Sequence, residues 1–459
     1  MIRREEMQEV AKSYKEPVGL NIGSHSALDA WQGQRNYGIR SIIYTTPQRA
    51  RIYLENPMVG MAGEEIEDLA PVVKRDLIVV EDPREIRKKG DWRSAILIVE
   101  KYEDIVKYVD DLVELECIQI PNRAFSVYVG GDENCSLIEN RFSVPILGSR
   151  KLLKIENRGE VERDYYWFAE KAGIPYPKSY RFEVGGEGIR FKEDVDEPMI
   201  LKAEHAARNL EREFIFASNS RDMEEKVAKE VRLGNLNIAS LEKARVEQIV
   251  LGPHANLNFF FSPLDAKDEW GDAEKAFAKL YNLSIDDARA CLSNQFLSID
   301  ERRETILDGL KRLPIDVQEK ITETPSFEVT CHLPMSLRES LLKDAQRFAD
   351  AFLLATRKYE PPGIIGAWCL QTLITWQKVG AGAAFQFGLY DVPDGKETYV
   401  HLPVTQDVAL RHGGGTNTHM GIGAQYSNAK YGRTMSMGDR IALEIRRALK
   451  RRSLAEIVT

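Results

Sequence analysis

The segment Gly23-Ser24-His25-Ser26-Ala27-Leu28 stands where an apolar run ends and a helical pattern begins. A strand-to-helix turn gathers free backbone N–H groups and the positive end of a helix dipole, so it suits a phosphate or carboxylate. His25 can add a proton or a donor there. The competing reading makes Ser24 and Ser26 simple helix caps and His25 a solvated first-turn residue.

A second group centres on Lys202, which follows the apolar residues 199–201 and precedes a polar loop. A lysine at that position can reach phosphate oxygens as a point charge. Arg208 and Arg212 in the loop either fork onto phosphate or pair with Glu211 and Glu213 on a solvated face. Glu247 and Gln248, in the next apolar segment, either hydrogen-bond a base or ribose edge or form an ordinary strand end.

The third group is carboxyl-terminal: Gln371, Asp407, Arg411, His412 and Asn417, with Gly413, Gly414 and Gly415 between the last two. Three glycines let a backbone approach a ligand closely. A carboxylate with amide oxygens supplies hard ligands of the kind magnesium takes together with a substrate's own phosphates. The alternative is a polar turn in a flexible loop.

The elements needed to hold these groups follow from a chain of 459 residues, long enough for about three domains. Apolar residues make up 43% and charged residues 29%, which excludes a disordered or fibrous chain. A net charge of −8 argues against a nucleic-acid partner, because phosphate-backbone binding needs a net basic face. No stretch approaches a membrane span, and the charged start is unlike a secretory signal, so a cytoplasmic protein is expected. Five widely spaced cysteines, with no Cys-x-x-Cys pair, read as reduced and mostly buried thiols.

Residues 18–23, 39–46, 76–82, 94–100 and 116–121 read as strands separated by helical or charged segments, the first helix covering 24–38 and ending at Gly38. That alternation predicts a doubly wound parallel sheet in a first domain over 1–147. Residues 150–182 read as one charged helix closed by Gly173, Pro175 and Pro177. Residues 199–218 read as strand, loop and strand, and 243–252 as a further strand, so 148–262 forms a small α+β region. Residues 263–325 read as a helical insertion at the head of a third domain, 263–459. Strands at 326–334, 364–376, 383–391 and 399–410 and a closing amphipathic helix complete it. There is no P-loop, no His-Glu-x-x-His and no Gly-x-Ser-x-Gly elbow, and GGEG and GGDEN read as hairpin turns. Tyr165, Tyr166, Trp167 and Phe168 are consecutive and read as packing residues.

Several separated segments, GSHSALDAWQGQRNYG, VPILGSRKLLKIEN, LPMSLRESLL, GGGTN and YGRTMSMGDRIALEIRRAL, occur in an order that resembles one family. It is that of the archaeal formate-dependent ligases of purine biosynthesis (PurP type), which join formate to 5-aminoimidazole-4-carboxamide ribonucleotide with ATP. The resemblance runs from about residue 18 to Thr459. It implies an ATP-grasp fold: an N-terminal Rossmann-like domain, a small lid and a C-terminal grasp domain. It also implies a formyl phosphate intermediate, ATP and Mg2+ as cofactors, and a homo-oligomer whose partners are small molecules, a nucleotide and formate or another small carboxylate.

Carried onto this sequence, the resemblance implies His25 and Arg411 as catalytic residues, and Ser24, His25, Ser26 and Asn417 as substrate contacts. It implies Lys151, Lys202, Arg208, Glu247 and Gln248 as ATP contacts, and Gln371 and Asp407 as metal ligands.

The chain departs from the family pattern in four places. AEHAARNLERE (203–213) has no glycine where the family has a glycine-rich lid loop. Gln371 stands in place of a glutamate, Ala124 in place of a serine and Ile306 in place of an asparagine. Two readings follow: an ATP-grasp ligase, for this substrate or another, or a catalytically impaired paralogue that binds nucleotide or assists assembly.

Overall fold

The computed structural model describes all residues except 56–76, 131–134, 157–160, 204–212, 319, 322–328, 380–397, 416–430 and 434. Arg208, Asn417 and the predicted strand over 383–391 lie outside the described residues.

Five parallel strands open the chain: β1 (Val18–Ile22), β2 (Ser41–Thr45), β3 (Leu77–Val80), β4 (Ser94–Ile98) and β5 (Cys117–Ile120), in the order β3-β4-β2-β1-β5. Each falls in a predicted segment, because strands of a parallel sheet read as short apolar runs, the edge strand β3 included although it is only partly covered. β1 is buried along its whole length. Helix α1 (Ala27–Asn36) follows it and ends where Gly38 takes φ 64°. The predicted caps do not form. Ser26 stands at the N-cap without a side-chain bond to the helix backbone, and the Ser24 hydroxyl is instead hydrogen-bonded by Arg49 at 2.7 Å.

The single helix expected over 150–182 is broken in two. Residues Arg150–Glu156 form a 3-10 turn, held because the Arg150 guanidinium donates to the carbonyls of Ile138, Phe142 and Val144. Helix α2 (Tyr165–Ala172) starts afresh where Asp164 caps the Trp167 N–H, and Gly173 at φ 66° closes it as predicted. Its aromatic run is packed into the core, with only Trp167 partly exposed.

Strand β6 (Ser179–Tyr180), the hairpin of β7 (Phe182–Gly185) and β8 (Gly188–Phe191), then β9 (Met199–Ala203), β10 (Glu213–Ala217) and β11 (Arg245–Gln248) come next. They form a sheet ordered β10-β9-β11-β6 and a separate two-stranded ribbon, β7-β8. GGEG is the turn of that ribbon, as predicted. Helix α3 (Ser220–Arg232) buries Met223 and Val227 against Met199, Leu201 and Val246.

The last sheet is ordered β14-β13-β12-β15-β16, all antiparallel: β12 (His254–Phe261), β13 (Asn294–Glu304), β14 (Val329–Pro334), β15 (Gly366–Val379) and β16 (Thr398–Ala409). Residues 263–325 contain helices α4 (Asp272–Tyr281) and α5 (Ile285–Leu292), as expected of a mostly helical stretch, but also the eleven-residue strand β13, which the sequence reading missed. A bulge opposite Asn258 and Phe259 breaks its alternation: Phe296 and Ile299 pack with Leu257 and Phe259 on one side, while Leu297 packs with Phe260 on the other, the side of Ser298 and Asp300. One sheet face, with Leu257, Phe259, Ile299, Trp368 and Leu370, packs on Phe348 and Phe352 of helix α6 (Glu339–Tyr359). The closing helix α7 (Met437–Lys450) returns to α1 and crosses it at Gly33 and Gly438. Of the five cysteines only Cys331 is exposed, and none is in a disulfide.

Asp350 on α6 is buried and accepts 2.9 Å bonds from Asn294 and Gln346. Burial pushes its carboxyl up to about 7, against the two hydrogen bonds. The folded state therefore keeps a proton that the unfolded chain releases near pH 4, and stability falls as pH rises from about 4 to 7. Asp350→Asn keeps the acceptor oxygen without the charge. We expect it to match the parent near pH 4 and to exceed it by on the order of 2–4 kcal/mol at pH 8 in urea unfolding. An equal pH slope in both proteins would count against a raised Asp350.

Candidate active site

The outer face of the last sheet is polar because β12 and β13 alternate: Asn256 and Asn258 flank Leu257, and Ser298 and Asp300 flank Ile299. Strand register aligns Asp300, Asn256, Gln371 and Asp407 in one row across four strands. Asp300 is fully buried and accepts from Asn256 Nδ2 and Asn258 Nδ2, both at 2.7 Å, and from His332 Nδ1 at 2.5 Å. Against a carboxylate oxygen Nδ1 is the donor, so Nε2 is the ring nitrogen left to face other partners, and the His332 side chain is 20% exposed.

Facing this row is the β1–α1 turn. His25 takes φ 58° there, and its Nδ1 lies 3.2 Å from Ser26 Oγ. Asn122 fixes the turn by donating to the Ser24 carbonyl at 3.1 Å, and its backbone bridges to His412. His25 keeps a solvent-accessible edge while protein crowds its other sides. That crowding, then the charges of Arg411, His412, His332 and Arg123, hold its pKa well below the usual imidazole value. The ring is neutral at pH 7.

The glycine stretch lies between turn and sheet. A Cβ on Gly414 would be 3.0 Å from His25 Nε2 and 3.6 Å from His332 Nε2, and one on Gly415 would be 2.4 Å from Asp300 Oδ2. Close approach therefore requires glycine at both positions. The stretch is anchored from behind: Arg411 pairs with buried Glu156 at 3.2 Å, and His412 Nε2 lies 2.8 Å from buried Asp29.

In the middle sheet Lys202 Nζ lies 2.6 Å from Glu247 Oε2, both buried, and the Tyr166 hydroxyl donates to the other Glu247 oxygen. Gln248 Oε1 is buried with no hydrogen-bond partner among the described residues. Lys151 instead pairs with Glu360 at 3.3 Å on a half-exposed surface. Ala124 is buried in the core of the first domain. The Ile306 side chain lies outside the described residues.

Gln371 and Asp407 are cross-strand neighbours, but Arg302 Nη1 donates to Gln371 Oε1 at 2.8 Å, and Asp407 Oδ1 accepts its own neighbour's N–H from Val408. Among the described residues no group of three or more His, Cys, Asp or Glu side chains is arranged to hold a metal. A guanidinium on the amide oxygen makes this pair a poor fit to a protein-held magnesium ion.

The structure thus brings His25, Ser26, Arg411 and the glycines together and keeps Lys202, Glu247 and Gln248 as a separate group. Sequence reasoning missed Asp300, His332, Asn256, Asn258, Arg302 and Asn122. The period-two asparagines of Asn256-Leu257-Asn258 were the available signal.

Residues 20–180 match the family described as "Protein of unknown function (DUF1246)", and residues 222–459 match "Domain of unknown function (DUF1297)". The chain is 30% identical over 385 residues to the 5-formaminoimidazole-4-carboxamide-1-(beta)-D-ribofuranosyl 5'-monophosphate synthetase of Methanothermobacter thermautotrophicus, covering 83% of this chain and 87% of that protein. With the synthetase of the same name from Methanopyrus kandleri it shares 28% over 463 residues, the whole of both chains. The crystal structure of an IMP biosynthesis protein PurP from Thermococcus kodakaraensis superposes with a TM-score of 0.56 at 22% identity, covering 96% of this chain and 100% of that one. The fold is the ATP-grasp fold that the resemblance implies. By the extent of these matches, the chain belongs to the family of 5-formaminoimidazole-4-carboxamide ribonucleotide synthetases, within the domain family described as DUF1297.

Proposed function

We propose that this chain is an ATP-dependent carbon–nitrogen ligase that formylates 5-aminoimidazole-4-carboxamide ribonucleotide with formate. The observation that carries this reading is the end-to-end match to synthetases named for the formylated product. Phosphoryl transfer from ATP to formate gives formyl phosphate, an electrophile that the ribonucleotide's amine attacks. Lys202, Glu247 and the unpartnered Gln248 oxygen fit the nucleotide end, a cation and two acceptors suiting phosphate and the adenine edge. Neutral His25 fits the reacting centre as a hydrogen-bond donor, with Ser24 and Ser26 beside it and Arg411 behind. Magnesium, when present, supplies charge neutralisation of phosphate oxygens. With Arg302 on Gln371, it is carried by the nucleotide's phosphates rather than by the Gln371–Asp407 pair. The proposed partners are small molecules. No helix among the described residues is long and apolar enough to cross a membrane, which agrees with work in the cytoplasm, and a homo-oligomer is proposed from the family.

The test is ADP formation with ATP, formate and the ribonucleotide together, with the formylated product identified by mass. Lys202→Gln is expected to weaken ATP binding about 10–100-fold in calorimetry, the loss of one charge-assisted contact. Unchanged affinity would remove Lys202 from the site. A second reading, a paralogue that binds nucleotide without turnover, is favoured by Arg302 at the Gln371 position. ATP binding with no ADP under any substrate combination would select it.

A further inference from the structure

We propose that His332, aligned by Asp300, is the base that accepts the proton lost by the attacking amine. This rests on the ligase reading above and assigns a residue to its second step. The Nε2 atoms of His25 and His332 both look into the space that Gly414 leaves open, 3.0 Å and 3.6 Å from where its Cβ would stand. His332 is the one of the two whose Nδ1 is held by a buried carboxylate, and that carboxylate is itself fixed by two amide donors. A buried carboxylate on Nδ1 orients the ring and stabilises the imidazolium that forms when Nε2 takes a proton. Asn256 Oδ1, buried beside this pair with no hydrogen-bond partner among the described residues, is an acceptor placed for a second N–H of the incoming amine.

The charged and titratable groups facing His332 are Asp300 and Arg302 from β13 and His25 from the β1–α1 turn. Arg302 is its cross-strand pair, and its guanidinium turns away to Gln371. In the step itself the amine lone pair forms the N–C bond to the formyl carbon. The bond from that carbon to the phosphate oxygen breaks, phosphate leaves with the electron pair, and one amine proton passes to His332 Nε2. Asp300 keeps its charge and acts as a positioning residue.

The test uses the full chain with ATP, formate and the imidazole ribonucleotide. His332→Gln is expected to lower kcat for the formylated product 10²–10⁴-fold. It should leave the KM for the ribonucleotide, the ATP affinity and formate-dependent scrambling of oxygen isotope in ATP within a few-fold. Gly414→Ala, which presses a methyl between the two rings while leaving both histidines in the sequence, should give the same split between scrambling and product. Asp300→Asn should lower kcat with little change in KM. The proposal is overturned if His332→Gln keeps kcat within tenfold, or if scrambling and product formation fall together in both His332→Gln and Gly414→Ala. Absence of product from the parent protein would instead overturn the ligase reading.

Discussion

Gly438→Ala is expected to lower the stability of the folded chain by about 3 kcal/mol, although alanine is the better helix former by about 1 kcal/mol. The sign is decided at the crossing of α1 and α7. A Cβ on Gly438 would lie 2.0 Å from the Asp29 carbonyl oxygen, and one on Gly33 would lie 2.0 Å from the Gly438 carbonyl carbon. Backbone stands against backbone there, so no flexible side chain can yield. Separating the helices would also stretch the 3.0 Å bond from the Gly438 N–H to Asp29 and the 2.7 Å bond from Asn36 to Asp439. Asp29 holds His412, so the disturbance reaches the glycine stretch of the site. Urea midpoints measure the effect, and a gain in stability on Gly438→Ala would mean that the helices do not touch. Gly33→Ala should cost a similar amount, and the double variant less than the sum, because both fill the same contact.

The parallel sheet was legible because each strand is a short apolar run bounded by turn residues, even the edge strand β3, whose Val79 is exposed. The last sheet was only partly legible. In β13 the residues Ser298, Asp300 and Arg302 carry the polarity of a solvated helix, yet Ser298 and Asp300 are buried in hydrogen bonds, and composition does not distinguish the two. The break at Arg150 was hidden for a related reason: a guanidinium solvated by main-chain carbonyls looks, in sequence, like any charged helical residue. In the site, the β1–α1 turn and the three glycines were found from local chemistry, since a turn and a close approach are written in consecutive residues. Asp300 and His332 were not, because only the register of β13 against β14 brings them together, and register is set by tertiary packing. Lys202 and Glu247 were each singled out as ligand groups, but their mutual 2.6 Å contact depends on which strands become neighbours in the middle sheet.

Glu156→Gln should cost about 3–5 kcal/mol, since it removes one partner of a buried ion pair and leaves the other charge uncompensated. Glu156 receives the Leu410 N–H on one oxygen at 2.8 Å and Arg411 and Arg123 on the other at 3.2 and 3.4 Å. The amide can still accept from Leu410, so the loss isolates the charge rather than the backbone contact. Arg411 is 8% exposed and has little water to turn to, whereas Arg123, 31% exposed on its side chain, can re-solvate. The strain should therefore fall on residues 411–415, moving Gly414 and Gly415 away from His25 and Asp300 and lowering turnover along with stability. Combining Glu156→Gln with Arg411→Met removes both charges, and the double variant should be more stable than Glu156→Gln alone. If the single variant loses under about 1 kcal/mol in urea unfolding, Arg411 is not held by a desolvated carboxylate. The glycine stretch would then need another anchor to stay pressed between the two histidines.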